Sequence, residues 1–245
     1  MKFYRRLTEI KAISFDLDDT LYSNKPVMIA IEKKMIAYFA CLPAIKNHVS
    51  TQSIVFNQRF WSPFRRQAIA EQENLSHDVV RLRLVTYRLG FISIGLTAQA
   101  AQQQAQAALD YFIQLRSDFT VPEQSKKLLA SLANKFPLVA ISNGNVDTNA
   151  LGIAHYFQHI YHAGWQSDGV LLKQKPESDM FDVVCHQLNI KPAQLLHVGD
   201  CGRADSQGAL YAGCQAAWLS YYDVGKPISV LPHIEFTKLN QLDEL

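Results

Sequence analysis

The stretch ISFDLDDT, residues 13–20, places Asp16, Asp18 and Asp19 within four positions directly after an apolar run. Two carboxylates about 4 Å apart repel by roughly 4 kcal/mol at an effective dielectric near 20. A shared proton or a divalent cation would relieve that repulsion. Side chains two apart on a strand project to one face, which groups Asp16 with Asp18 and leaves Asp19 to the turn. A lone aspartate there would read as a turn or helix cap. The cluster suits Mg²⁺, which takes few protein carboxylates and commonly bridges to substrate phosphate.

Such groups need strand ends to hold them. Apolar, β-rich segments occur at 11–18, 137–143, 159–164, 194–200 and 216–220, with helical patterns at 123–135, 147–155, 177–189 and 204–213. Near-continuous apolar strands alternating with helices predict a parallel sheet covered on both faces, an α/β Rossmann-like core. Ser142, Asn143 and Asp200 fall at strand ends as Asp16 and Asp18 do. In open α/β sheets ligands bind outside the carboxyl ends of the strands. Residues 25–118 carry helix-period segments at 25–41, 48–72, 75–90 and 97–117, the last with Thr97 as N-cap. The expected organisation is a core of 1–24 and 119–245 with an inserted α-helical module, 25–118.

Composition narrows the function classes. A formal charge of +2 over 245 residues argues against extended nucleic-acid binding, which shows a strong basic excess. The chain lacks an apolar run near the roughly 18 residues that span a bilayer, and its start lacks a signal-peptide apolar region. Cys41, Cys185, Cys201 and Cys214 form no CxxC pair and read as isolated thiols of a cytoplasmic protein. His155, His159 and His162 have tempting spacing, but Gly152 and the run HYF end the helix before the next strand, so they should not share a face. In NQRFWSPFRRQ, Arg59, Arg65 and Arg66 alternate with Phe60, Trp61 and Phe64. An amphipathic helix with a solvated basic face, interrupted by Pro63, is the simplest account. Arg81 and Arg83 stand in a similar setting.

Four stretches in order resemble the motifs of the haloacid dehalogenase (HAD-like) superfamily: Asp16-Leu17-Asp18-Asp19-Thr20, VAISNG with Ser142, KQKPESDMF with Lys175, and LLHVGDCGRAD with Gly199, Asp200 and Asp205. The resemblance covers nearly the whole chain and implies a HAD-like core with a helical cap that chooses the leaving group. It implies phosphoric monoester hydrolysis with Asp16 as nucleophile through an aspartyl-phosphate and Asp18 as acid and base. Relatives lacking the second aspartate commonly do other chemistry. Mg²⁺ would be held by Asp16, the Asp18 carbonyl and Asp200. Lys175 would offset negative charge, and the Ser142 hydroxyl with the Asn143 and Gly144 N–H groups would hold phosphoryl oxygens. Asp205 is assigned to orienting Lys175 or a metal-held water. Cys201 departs from the small polar or acidic residue of many relatives. The opening KFYRRLTEIKAISFDLDDTLYSNKPV further resembles the bacterial flavin-pathway phosphatases of this superfamily, whose substrates include FMN. A small phosphorylated metabolite is therefore the expected partner, with another sugar phosphate or nucleotide as the alternative substrate. From a different class, a phosphoaccepting signalling module would use similar groups in a different order.

Overall fold

The computed structural model describes residues 1–46, 54–167, 169–221 and 230–244. The chain divides into two compact units, Met1–Asn24 with Phe119–Leu245, and Lys25–Asp118.

The first unit is an α/β sandwich. Its strands are β1 (Lys2–Phe3), β2 (Ala12–Phe15), β3 (Leu138–Ser142), β4 (His159–His162), β5 (Gln166–Ser167), β6 (Val170–Leu171), β7 (Leu195–Gly199), β8 (Gln215–Leu219) and β9 (Ile234–Phe236). Seven of them form one sheet in the order β1-β9-β8-β7-β2-β3-β4, parallel except for β1, while β5 and β6 make a separate antiparallel pair. The central strands β2, β3, β7 and β8 are buried at every position, as their unbroken apolar sequences require. Alternate residues pack to opposite faces. Ile13, Phe15 and Leu138 meet Leu128, Leu129 and Leu132 of α6 (Glu123–Ala133). Ala12, Val139 and Ile141 meet Met180, Phe181 and Val184 of α7 (Asp179–Gln187).

The chain leaves this unit after Asn24 and returns at Phe119. Both crossing points are fastened within the unit itself. The Tyr22 and Phe119 rings lie 4.7 Å apart, and the buried Ser125 hydroxyl donates to the Leu21 carbonyl at 2.5 Å.

The second unit is built from α1 (Asn24–Cys41), α2 (Pro43–Lys46), α3 (Gln58–Glu71), α4 (Val79–Ser93) and α5 (Ala98–Arg116). It contains no strand among the described residues. Phe39, Phe56, Phe91, Phe112 and the small stripe Ala101, Ala105 and Ala108 form its interior. Polar caps define the helix starts. Asn57 accepts from the N–H groups of Arg59 and Phe60, Asp78 from Arg81, and Thr97 from Ala100.

Several elements differ from the expectation. Residues 147–155 are not a helix: the Asp147 carboxylate accepts from the N–H groups of Asn149 and Ala150, a local turn that competes with helical hydrogen bonding. Only a 3₁₀ turn, Ala154–Tyr156, follows. The segment 204–213 is a wide π-type turn, Gly202–Gln207, followed by the single turn α8 (Gly208–Tyr211). The helix expected over 48–72 starts at Gln58, and part of that expectation, 48–53, lies outside the described residues. It runs through Pro63 without ending. Residues 75–90 divide at the Asp78 cap into a 3₁₀ turn and α4. The short strands β1, β5, β6 and β9 carry too few residues for periodicity to reveal them. No helix among the described residues is long and apolar enough to cross a membrane.

Candidate active site

The carboxyl ends of the parallel strands bring residues from distant parts of the sequence together. Asp16 follows β2, and its N–H donates to the Val198 carbonyl of β7 at 2.8 Å. Ser142 ends β3 and Asp200 follows β7. Lys175 arrives from the loop between β6 and α7. Its buried ammonium donates to Asp16 Oδ1 at 2.7 Å, the Ile141 carbonyl at 2.7 Å and Asp205 Oδ1 at 2.6 Å, which occupies all three of its hydrogens. Burial opposes that charge, but the adjacent Asp16 and Asp205 carboxylates outweigh it and raise the lysine above its ordinary range.

One oxygen from each of Asp16, Asp200 and Asp205 lies within 4.8 Å of the others, and among the described residues this is the only such group of possible metal ligands. Asp205 already has three hydrogen-bond partners. Oδ1 accepts from Lys175 and His197, and Oδ2 from the Cys201 N–H at 2.8 Å. Burial alone would raise Asp205, yet the Lys175 charge and the His197 hydrogen bond hold it well below the carboxylate range. In the other two, burial outweighs the partners that favour the charge. Burial pushes Asp16 well above its ordinary value against the pull of Lys175. It pushes Asp200 up to about 7, with the Asp205 and Asp19 charges adding to it. Three carboxylates with one ammonium leave two negative charges unbalanced, and the donors are all oxygen. Such a set fits a hard divalent cation.

Asp18 sits apart from that triad. Its Oδ1 accepts from the Tyr22 hydroxyl at 2.8 Å, and its Oδ2 lies only 2.5 Å from the place a Cβ on Gly144 would take. Only a glycine at 144 leaves this carboxylate its place. Asp19 occupies the left-handed region at φ 57° and accepts from the Asn24 N–H at 2.8 Å, capping the start of α1. Thr20 donates to Asp200 Oδ1 at 3.3 Å, and the Trp218 indole donates to the Asp200 carbonyl at 2.7 Å.

The second motif makes hydrogen bonds beyond the hydroxyl and N–H roles expected of it. The Gly144 N–H donates to Ser142 Oγ at 3.0 Å. The Asn143 side chain pairs with the Lys175 backbone in both directions, Nδ2 to the carbonyl at 2.9 Å and Oδ1 from the N–H at 2.8 Å. Asn143 therefore fixes the loop that carries the lysine. The His162 ring contacts the Gly144 carbonyl at 2.8 Å, whereas His155 lies in a 3₁₀ turn and His159 three residues away on β4, so the three histidines do not assemble.

The helical unit by itself holds a cavity of about 630 Å³ whose walls include Phe39, Trp61, Tyr87 and Phe112. Arg65, Arg66 and Arg83 also line it, with Arg65 and Arg66 exposed as a solvated basic face requires. The Arg83 guanidinium lies 3.6 Å from the Phe112 ring centroid and donates to the Tyr87 hydroxyl at 3.4 Å. Arg59 is not among the lining residues, and Arg81 donates to Gln72 instead. Sequence periodicity could not sort these arginines, because their common wall is formed by separate helices.

Comparison with known proteins follows the same lines. A profile of haloacid dehalogenase-like hydrolases matches residues 10–213. A 5-amino-6-(5-phospho-D-ribitylamino)uracil phosphatase of Escherichia coli is 36% identical over 251 residues, covering 100% of both chains. A phosphoglycolate phosphatase of Pectobacterium atrosepticum is 28% identical over 91% of this chain and 86% of that protein. Among solved structures, a 2-haloacid dehalogenase from Pseudomonas syringae pv. tomato superposes with a TM-score of 0.84 at 27% identity, covering 96% of this chain and 97% of that one.

Proposed function

The chain belongs to the haloacid dehalogenase-like hydrolases, and on that premise we propose that it is a Mg²⁺-dependent phosphomonoesterase working through an aspartyl-phosphate. The observation that carries this reading is the contrast between its two strand-end aspartates. Asp16 is buried against an ammonium, while Asp18 stands apart with a phenolic partner. Two carboxylates in unlike surroundings are suited to different roles.

In the proposed sequence an Asp16 oxygen attacks phosphorus and the ester oxygen leaves with the proton of Asp18. Water then attacks the acyl phosphate, gives its proton to Asp18, and releases inorganic phosphate with the Asp16 carboxylate restored. Asp16, Asp200 and the Asp18 carbonyl would hold Mg²⁺, which supplies charge neutralisation between an anionic nucleophile and an anionic substrate. Lys175 holds Asp16 in place and adds positive charge beside it. Ser142, Asn143 and Gly144 are assigned to the phosphoryl oxygens. For that role Gly144 must exchange its bond to Ser142 Oγ for one to substrate. Asp205 orients Lys175.

We assign the helical unit, residues 25–118, as the cap that selects the leaving group. Its aromatic, arginine-lined cavity suits a planar ring system, which agrees with a flavin-pathway substrate such as 5-amino-6-(5-phospho-D-ribitylamino)uracil or FMN, in a cytoplasmic enzyme of small phosphorylated metabolites. A phosphate-release screen over sugar phosphates, nucleotides, FMN and that ribitylaminouracil phosphate tests the assignment. Turnover of flavin-type esters, abolished in Asp16→Asn, is expected. Rapid hydrolysis of an unrelated ester with none of these would overturn the substrate, and near-normal activity of Asp16→Asn would overturn the mechanism.

A further inference from the structure

The strand β7 carries a buried histidine that the catalytic assignments leave unused. His197 is 1% exposed and stands directly opposite Ser14 in the register of β2 and β7. Its Nδ1 lies 2.8 Å from the Ser14 hydroxyl and its Nε2 lies 3.1 Å from Asp205 Oδ1. The Phe181 ring abuts it edge to face at 5.0 Å.

These contacts define the proton positions. Asp205 is ionised against Lys175 and can only accept, so the hydrogen on the imidazole must sit on Nε2. Nδ1 then accepts from the Ser14 hydroxyl. Burial, reinforced by the Lys175 charge and only partly offset by Asp205, lowers His197 to about 4, so the ring is neutral near pH 7. A neutral donor on Asp205 Oδ1 locks the carboxylate without adding a second cation that would compete with Lys175 for it. Lys175 remains the cation paired to both Asp16 and Asp205.

We propose that His197 is a positioning residue for Lys175, acting through Asp205 and held in its Nε2–H tautomer by Ser14. Its effect on rate rests on the phosphatase reading; its tautomer and hydrogen bonds do not. The chain of contacts Ser14–His197–Asp205–Lys175–Asp16 ties the middle of two strands to the nucleophile, so the ammonium keeps one geometry when a substrate phosphate arrives.

Substitutions separate the two ends of the ring. Glutamine reaches roughly as far as Nε2 and preserves the donor to Asp205. Asparagine reaches only towards Ser14, and phenylalanine fills the volume with neither contact. Partners that orient an active-site group are typically worth 10–100-fold in activity. His197→Phe and His197→Asn should therefore lower kcat by roughly that factor with KM little changed, and His197→Gln should recover most of it. Ser14→Ala should reduce kcat modestly in the native background and not at all in His197→Gln, a coupling that a double-mutant cycle reads. A purely structural role would lower stability without this pattern of rescue.

Nitrogen-15 spectra of the native protein test the tautomer without any turnover. A protonated Nε2 and an unprotonated Nδ1 are expected at neutral pH. The opposite tautomer, an imidazolium, or unchanged kcat in both His197→Phe and His197→Asn would overturn the proposal. If no ester is hydrolysed but the tautomer and the Ser14 coupling in those spectra hold, the phosphatase reading fails and the positioning network stands.

Discussion

The charge deficit at the carboxylate cluster has a measurable sign in the metal-free protein. Asp200 is raised from 3.8 to about 7, so between those values the folded chain holds a proton that the unfolded chain has lost. Stability contributed by this group therefore falls as pH rises through that window. The difference of about 3 units, at 1.36 kcal/mol each, gives an upper limit of about 4 kcal/mol. His197 works in the opposite direction. Its folded value of about 4 lies below the ordinary 6.5, so its contribution rises with pH over much of the same range, and the raw profile of the native protein partly cancels. The informative quantity is the difference between native protein and Asp200→Asn, measured by urea unfolding in EDTA at a series of pH values. Asparagine keeps an oxygen for the Thr20 hydroxyl but cannot ionise. The variant should gain on the native protein steadily from about pH 4 to about pH 7, and excess Mg²⁺ should reverse the order above pH 7 by stabilising the ionised carboxylate. A difference that stays flat with pH in EDTA would refute the charge deficit. So would a magnesium effect as large in the variant as in the native protein.

Other perturbations follow from close contacts. A Cβ at Gly199 would meet Asp205 Cγ at 2.2 Å, so Gly199→Ala should destabilise by about 1–3 kcal/mol and lose activity together with the Lys175 pairing, as urea midpoints and phosphate release would show. Gly144→Ala should leave stability nearly unchanged but cut kcat, because its Cβ displaces Asp18 Oδ2; unaltered turnover would argue against Asp18 as the acid. Arg83→Met removes a guanidinium held on Phe112 and should raise KM for planar substrates by roughly tenfold, near the 1–2 kcal/mol of a partly desolvated cation–π contact, while sparing small aliphatic phosphates.

The parallel core was legible because β2, β3, β7 and β8 are buried on both faces and so read as continuous apolar runs. The helical insertion was legible through caps such as Thr97. Residues 147–155 misled because Asp147 folds back on its own backbone, a choice that apolar periodicity does not register. At the site, Asp16, Lys175, Asp200 and Asp205 stood out by type and order, and they converge. Asn143 and His197 were harder. Asn143 was expected to serve through its N–H, yet its side chain clamps Lys175 across 32 positions, and His197 depends on the register between two strands. Such partners are set by tertiary pairing, which a linear pattern does not encode.

The fastening of Tyr22 to Phe119 and of Ser125 to Leu21 has a polymer-physics consequence. In the α/β unit the residues 25–118 act as a single long loop whose two ends are closed by contacts internal to that unit. Closure entropy of a flexible segment grows only as the logarithm of its length, so doubling or halving the insert changes that penalty by about 0.6 kcal/mol. The strands that carry Asp16 and Asp200 thus tolerate wide variation in what is inserted between them. Insert size is nearly neutral to the core, and selection on the insert can proceed with little effect on the catalytic scaffold.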